Sequence, residues 1–236
     1  MGWEPSRGAE AEEKGGIMQL VSFDYDGVLV DSLTRILRLI DRAQASLGIG
    51  RPPTIEDLRI VANLHLTDLA LNLGIPPERI PELTVKMSDL QRADGSRPSM
   101  FRGIPEVIRQ IARNSIIVVI TFNLRDEVME VLSAQGLEGC VSLVLDGTDP
   151  RPKRERIGWA LEHFDVNRRS TYMVGDARSD IREGRAAGVQ TVAVAWGYQP
   201  REVLLAEDPD FLAECPEELV AILNGRRKKF QEVNPR

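Results

Sequence analysis

An α/β fold is predicted, with a parallel sheet wrapped by helices on both faces and a helical domain inserted after the first strand. Three features of the sequence predict it. Short apolar, β-rich runs recur at residues 20–24, 115–121, 140–145, 171–175 and 190–195. Helical patterns separate them, and strands that alternate with helices pair in parallel. The rhythm fails once, over residues 32–98, which hold amphipathic helical stretches and no convincing strand. A chain of 236 residues has room for one α/β core and a smaller second domain.

Taken in order, residues 1–16 are rich in Gly, Glu and Ala and read as a flexible tail. The opening Met1-Gly2-Trp3-Glu4-Pro5-Ser6 formally matches a myristoylation pattern, but bulky Trp3, acidic Glu4 and the lack of a basic second signal argue against it. Core residues 17–31 follow. Within the insertion, Leu33, Ile36, Leu37, Ile40, Ala43 and Leu47 share one helical face; Leu58, Val61, Ala62, Leu69, Ala70 and Leu73 share a second. A third helix is expected from Pro76-Pro77 to about Arg92, and Asp94-Gly95-Ser96-Arg97-Pro98 has the chemistry of a turn back to the core. The core resumes over residues 99–236, with helices expected at 105–113, 125–135, 153–164, 180–187 and 217–223.

Composition excludes several classes. With 42% hydrophobic and 28% charged residues the chain is of ordinary globular type. A net charge of −6 opposes a surface built to neutralise nucleic-acid phosphates, and the basic run Arg226-Arg227-Lys228-Lys229 suits a helix C-terminus. No apolar run is long enough to span a membrane. Cys140 and Cys215 have neither disulfide-framework nor zinc spacing and read as packing residues of a reducing compartment, so the expected location is cytoplasmic.

The first strand ends in Asp24-Tyr25-Asp26-Gly27-Val28-Leu29-Val30-Asp31-Ser32. In extended backbone Asp24 and Asp26 point the same way while Tyr25 faces elsewhere, and Gly27 permits a sharp turn. Carboxylates at the C-terminal end of a central parallel strand lie where open α/β sheets bind ligands. An EF-hand loop is excluded, because its glycine is sixth whereas Gly27 is fourth. Simple turn chemistry at a strand exit is the blander alternative. Three further segments sit at strand or helix ends. Thr121-Phe122-Asn123 offers a hydroxyl, backbone N–H groups and an amide to phosphate oxygens. Arg151-Pro152-Lys153 offers a cation, and Gly175-Asp176-Ala177-Arg178-Ser179-Asp180 offers carboxylates at a helix start.

In order and spacing these four segments resemble the haloacid dehalogenase superfamily of phosphohydrolases, over about residues 18–225. The insertion resembles the small α-helical cap of its phosphoglycolate phosphatase and β-phosphoglucomutase relatives. The resemblance implies that Asp24 is the nucleophile that becomes aspartyl-phosphate, and that Asp26 is the general acid and then base, with a raised pKa. It implies Mg²⁺ held by Asp24, Asp176 and the main-chain carbonyl of Asp26. Thr121, Phe122, Asn123 and Lys153 bind the phosphoryl group, Lys153 neutralises Asp24, and Asp180 orients Lys153 or a metal-bound water.

Two positions depart from the family pattern. Relatives with this cap often read Lys-Pro where this chain has Arg151-Pro152-Lys153, so either cation fits the role; Lys153 is favoured because Lys153-x-Glu155-x-Ile157 runs straight into a helix. Tyr25 stands where an aliphatic residue or Phe is usual. His65 and His163 have no partner at ligand spacing, and Trp196-Gly197-Tyr198 is expected to pack beneath the site. The expected activity is hydrolysis of a small phosphorylated metabolite by a monomer or homodimer. Asp26 disfavours dehalogenation. A phosphomutase and a catalytically silent binding module are the alternatives, and the sequence does not identify the substrate.

Overall fold

The apolar runs form one six-stranded parallel sheet in the computed structural model, which describes residues 18–61 and 66–225. The N-terminal tail, Ala62, His65 and the basic run at 226–229 lie outside the described residues. In chain order the strands are β1 (Gln19–Phe23), β4 (Ser115–Ile120), β5 (Leu143–Leu145), β6 (Thr171–Gly175), β7 (Gln190–Val194) and β8 (Phe211–Ala213), arranged β5-β4-β1-β6-β7-β8. β1 is central, pairing Val21 with Ile117 on one side and with Tyr172 on the other. Chain order reverses beside β1, so the strand that carries Asp24 and Asp26 opens at the topological switch point, where a crevice forms at the carboxyl ends of the strands.

The strands are apolar on both faces because both are covered. One face packs on α5 (Ile104–Ile111), α6 (Arg125–Ala134) and α10 (Pro216–Leu223), burying Val21, Phe23, Ile117, Val119, Val174 and Val192. The other buries Leu20, Val118, Ile120 and Met173 against Ile157, Ala160 and Leu161 of α7 (Lys153–Phe164), with α8 (Arg178–Ala186) beside it. Fully burying each such side chain stabilises by about 1.5–3 kcal/mol.

The expected strand at 140–145 is confined to Leu143–Leu145. β8 and α9 (Arg201–Leu205) were not expected, since β8 is three residues long and gives no periodic signal. A two-stranded antiparallel ribbon was also unforeseen: β2 (Val30–Asp31) pairs with β3 (Ser99–Met100), Val30 opposite Met100. It ties together the two chain crossings between the sheet and the helices of residues 33–93.

Those helices are α1 (Leu33–Leu47), α2 (Ile55–Ile60), α3 (Leu66–Asn72) and α4 (Ile80–Ala93), the last entered through a 3₁₀ turn at Pro77–Arg79. The second predicted helical face is shared by two helices, and α2 ends at Ile60 because the backbone of Val61 is extended. Ile40, Ala43, Leu58, Val61, Leu69, Leu73, Ile75 and Leu83 form a cluster of their own, separate from the sheet's. Thr54 and Asp57 cap α2 reciprocally. Among the described residues no helix is long and apolar enough to cross a membrane.

Candidate active site

β1 ends at Phe23, and Asp24 N–H still donates to Val174 O of β6 at 2.9 Å, fixing Asp24 at the sheet rim. The chain then folds into a tight loop in which Gly27 N–H donates to Val30 O and Leu29 N–H to Tyr25 O, both at 2.9 Å. Gly27 has φ +75°, and a Cβ there would stand 2.1 Å from Asp176 Oδ2. Gly197, after β7, meets the same carboxylate from the other side, its Cβ position 2.1 Å from Asp176 Cβ. Two glycines thus let backbone close around Asp176, which is fully buried. Tyr198 N–H donates to Asp176 Oδ2 at 2.7 Å, while Oδ1 has no hydrogen-bond partner among the described residues.

Lys153 opens α7 and is 7% exposed. Its ammonium lies 2.8 Å from Asp24 Oδ2 and 2.5 Å from Asp180 Oδ1. Burial disfavours its charge, but Asp180 and Asp24 more than offset that and raise its pKa. Arg151 is turned away and paired with Asp149, Nη2 to Oδ2 at 2.7 Å. Of the two cations weighed from the sequence, the site receives Lys153. Asp180, at the start of α8, also accepts Ala177 N–H at 3.1 Å.

Asp24, Asp176 and Asp180 bring one carboxylate oxygen each to within 4.8 Å of one another. Burial, then Asp180 and Asp24, push Asp176 well above the usual carboxylate range, and burial raises Asp180 although Lys153 opposes it. Hard oxygen donors, an orphaned carboxylate oxygen and surplus negative charge suit a divalent cation.

Asp26 has different company. Ser32 Oγ donates to Oδ1 and Asn123 Nδ2 to Oδ2, and among the described residues no cation is paired with it. Burial raises its pKa to about 6; the hydrogen bonds from Ser32 and Asn123 oppose this, while Asp24 adds to it. Its carboxylate therefore stands apart from the three gathered oxygens. Tyr198 reaches Ser32 as well: Ser32 N–H donates to its hydroxyl at 3.2 Å, and the two hydroxyls lie 2.6 Å apart. Trp196 Nε1 donates to Val28 O at 3.1 Å, so the Trp196-Gly197-Tyr198 segment does pack under the site.

Thr121 follows β4 and is 1% exposed. Its oxygen accepts from Asn123 N–H at 3.0 Å and from Asn123 Nδ2 at 3.1 Å, which leaves the hydroxyl proton to donate elsewhere. Phe122 is half exposed with Arg156 over its ring at 5.0 Å, and its carbonyl lies against Gly147. His163 stacks on Trp159, with ring centroids 4.8 Å apart, away from these groups.

Sequence reasoning missed Arg156, Ser32, Gln91 and Glu127. Arg156 is buried and donates to carbonyls of Thr121 at 2.9 Å, Asp146 at 3.1 Å and Arg151 at 2.8 Å, so one guanidinium holds two rim loops together. Its place in α7, three residues after Lys153, puts it on the same helical face, but nothing in the sequence shows that its partners are carbonyls. Glu127 of α6 pairs with Arg35 of α1, and Gln91 of α4 donates to Asn123 Oδ1 at 2.9 Å, so the helical insertion is bonded directly to the rim. Gln199 adds another link, Nε2 to Val61 O at 3.0 Å.

A haloacid dehalogenase-like hydrolase family model matches residues 21–194. The chain is 27% identical to a phosphoglycolate phosphatase of Synechococcus elongatus over 86% of its own length and 96% of that protein. It is 32% identical to the pyrophosphatase PpaX of Bacillus pumilus over 87% and 96%. A solved haloacid dehalogenase-like hydrolase of Streptococcus pneumoniae superposes with a TM-score of 0.77 at 21% identity, covering 87% of this chain and 98% of that one. With the four rim segments in place, the chain belongs to the haloacid dehalogenase-like hydrolases, and within them it is similar to phosphoglycolate phosphatases.

Proposed function

We propose that this hydrolase is a Mg²⁺-dependent phosphatase of a small phosphate monoester, working through an aspartyl-phosphate on Asp24 in the cytoplasm. The observation that carries this reading is the unequal company of the first two aspartates. Asp24 faces the buried Lys153 ammonium, whereas Asp26 is met by a neutral hydroxyl and a neutral amide. Environments that differ in this way separate a nucleophile from a proton donor.

Asp24 attacks phosphorus in line while the bond to the leaving oxygen breaks, and Asp26 gives its proton to that oxygen. Asp26, now ionised, takes a proton from water as the water attacks the aspartyl-phosphate; inorganic phosphate leaves and Asp24 is restored. Thr121 donates its free hydroxyl proton to a phosphoryl oxygen, Asn123 shapes the same loop, and Lys153 offsets charge on Asp24 and the phosphoryl group. Asp180 holds Lys153 in place.

Asp24, Asp176 and the Asp26 carbonyl would hold the metal, with the Asp180 carboxylate beside them. When bound, Mg²⁺ supplies positive charge that lets an anionic phosphate approach anionic Asp24. Residues 32–98 act as a cap that excludes bulk water during the reaction.

The test is phosphate release with Mg²⁺ from a panel of phosphorylated metabolites that includes 2-phosphoglycolate and inorganic pyrophosphate, with Asp24→Asn run alongside. One strong Mg²⁺-dependent substrate lost in the variant is expected. No turnover on any member would overturn the reading in favour of a mutase or a silent module.

A further inference from the structure

Gln91 on α4 belongs to the insertion, yet its side-chain amide donates to two residues of the core. Its amide nitrogen donates to Asn123 Oδ1 at 2.9 Å and to Glu127 Oε2 at 2.5 Å. Glu127 is in turn paired with Arg35 of α1, so this carboxylate is fixed as an acceptor between two insertion helices. The consequence falls on Asn123. A primary amide has one accepting and one donating side. With Oδ1 taken by Gln91, Nδ2 must face Asp26 Oδ2 and Thr121 Oγ1, as it does. Turned over, the amide would set donor against donor at Gln91 and acceptor against acceptor at Asp26.

Asn123 and Ser32 each hold one oxygen of the Asp26 carboxyl and so fix its rotation. We propose that Gln91 is a positioning residue that couples the seating of the helical insertion to the aim of Asp26, acting through the amide of Asn123. With α4 against the core, Asn123 presents its donor and Asp26 points its acid at the leaving oxygen. With α4 withdrawn, Asn123 turns freely and the acid loses its aim, so proton delivery is confined to a site closed to bulk water. The inference rests on the phosphatase reading and adds a residue that the four rim segments do not contain.

Leaving-group dependence tests it. 4-Nitrophenyl phosphate releases a phenolate that departs without a proton, whereas 2-phosphoglycolate, or another primary alkyl phosphate drawn from the panel, releases an alkoxide that needs one. Gln91→Met keeps the side chain's length and removes its donors. It is expected to lower kcat/KM, which reads the transfer step and not the later hydrolysis common to both substrates, about tenfold for the alkyl phosphate, part of the factor of ~10²–10⁴ that a placed acid supplies, and less than about twofold for the aryl phosphate. Arg35→Met, which loosens the same latch from α1 through Glu127, should likewise slow the alkyl phosphate more than the aryl phosphate. In an Asn123→Ala background, Gln91→Met should add no further leaving-group effect. Equal losses on both substrates from Gln91→Met, or additive losses in the double variant, overturn the inference while the phosphatase reading stands. A parent protein that hydrolyses neither substrate overturns the reading and the inference with it. Thermal melting of each variant guards against a folding defect.

Discussion

Aspartates of the helical insertion and of the sheet rim are the same side chain in opposite electrical settings. In the insertion, Asp57 is bonded to Arg51 at 2.8 Å, to Thr54 and to Asn72 at 2.9 Å, and its pKa is lowered, chiefly by Arg51. Asp94 bonds Ser96 at 2.8 Å, Arg35 at 3.1 Å and Arg38 at 3.0 Å, and is held down at about 2. At the rim, Asp24, Asp176 and Asp180 gather around the Lys153 ammonium, Asp26 is met by Ser32 and Asn123, and burial pushes Asp26, Asp176 and Asp180 upward. Asp57 and Asp94 are each neutralised where they stand and serve the scaffold. The rim keeps a surplus of negative charge that costs stability, which is the expected mark of a site whose charge is completed by ligand.

That contrast is most exposed to test at Asp24. Asp24→Asn should lower phosphate release by about 10⁴-fold or more, as loss of a nucleophile does, while thermal melting shows no loss of stability because a crowded charge has gone. A matching fall in melting temperature would mean that Asp24 serves the scaffold as Asp57 does.

Lys153→Met comes next, with turnover down about 10²-fold. Removing the single cation of a buried cluster should cost about 3 kcal/mol at neutral pH, read by urea titration. The sign of its pH dependence follows from Asp180. Burial raises its folded pKa above that of an unfolded Asp and Lys153 holds the rise in check, so without Lys153 the pKa climbs further, and a rising pH that charges Asp180 in the folded state lowers stability. The penalty in Lys153→Met should therefore shrink as pH is lowered from neutral and Asp180 takes up a proton.

Asp176→Asn should raise the stability of the metal-free protein by about 1 kcal/mol at neutral pH, since it removes a buried charge whose Oδ1 has no hydrogen-bond partner among the described residues. In the parent, Mg²⁺ at a hundredfold excess over its Kd should stabilise by about 2.7 kcal/mol, and the variant should lose that gain in a melting experiment.

The smallest effect is expected in the insertion. Asp57→Asn should cost about 1 kcal/mol through the lost cap and ion pair and leave turnover within about twofold. Because its folded pKa is depressed, the stabilisation from Asp57 is present at neutral pH and lost as pH falls below about 4, the reverse of the rim. Equilibrium unfolding from pH 3 to 7 reads both signs.

What could be read in the sequence tracks how local the physics is. The strands before Asp24, Thr121 and Asp176 were legible because a sheet covered on both faces needs unbroken apolar runs. Asp24 and Asp26 were legible because period-two geometry alone sets them together. β8 and the β2–β3 ribbon were not, since two or three residues carry no periodicity. The break between α2 and α3 was hidden because their apolar positions keep one helical spacing across it. Gln91, Glu127 and Arg156 could not be found, since their roles come from partners 36, 36 and 35 residues distant in the chain. The choice between Arg151 and Lys153 also needed tertiary structure: α7 begins at Lys153, which turns inward, while Arg151 closes on Asp149 two residues away.

The claim that the rim is built for covalent phosphoryl transfer is tested most directly by acid-quenching the protein during turnover and mapping phosphorylation by mass spectrometry. A phosphoryl group is expected on the peptide that holds Asp24, absent in Asp24→Asn and accumulating in Asp26→Asn, where its hydrolysis is slowed. Turnover with that peptide unmodified, or with the phosphoryl group on another residue, would contradict it.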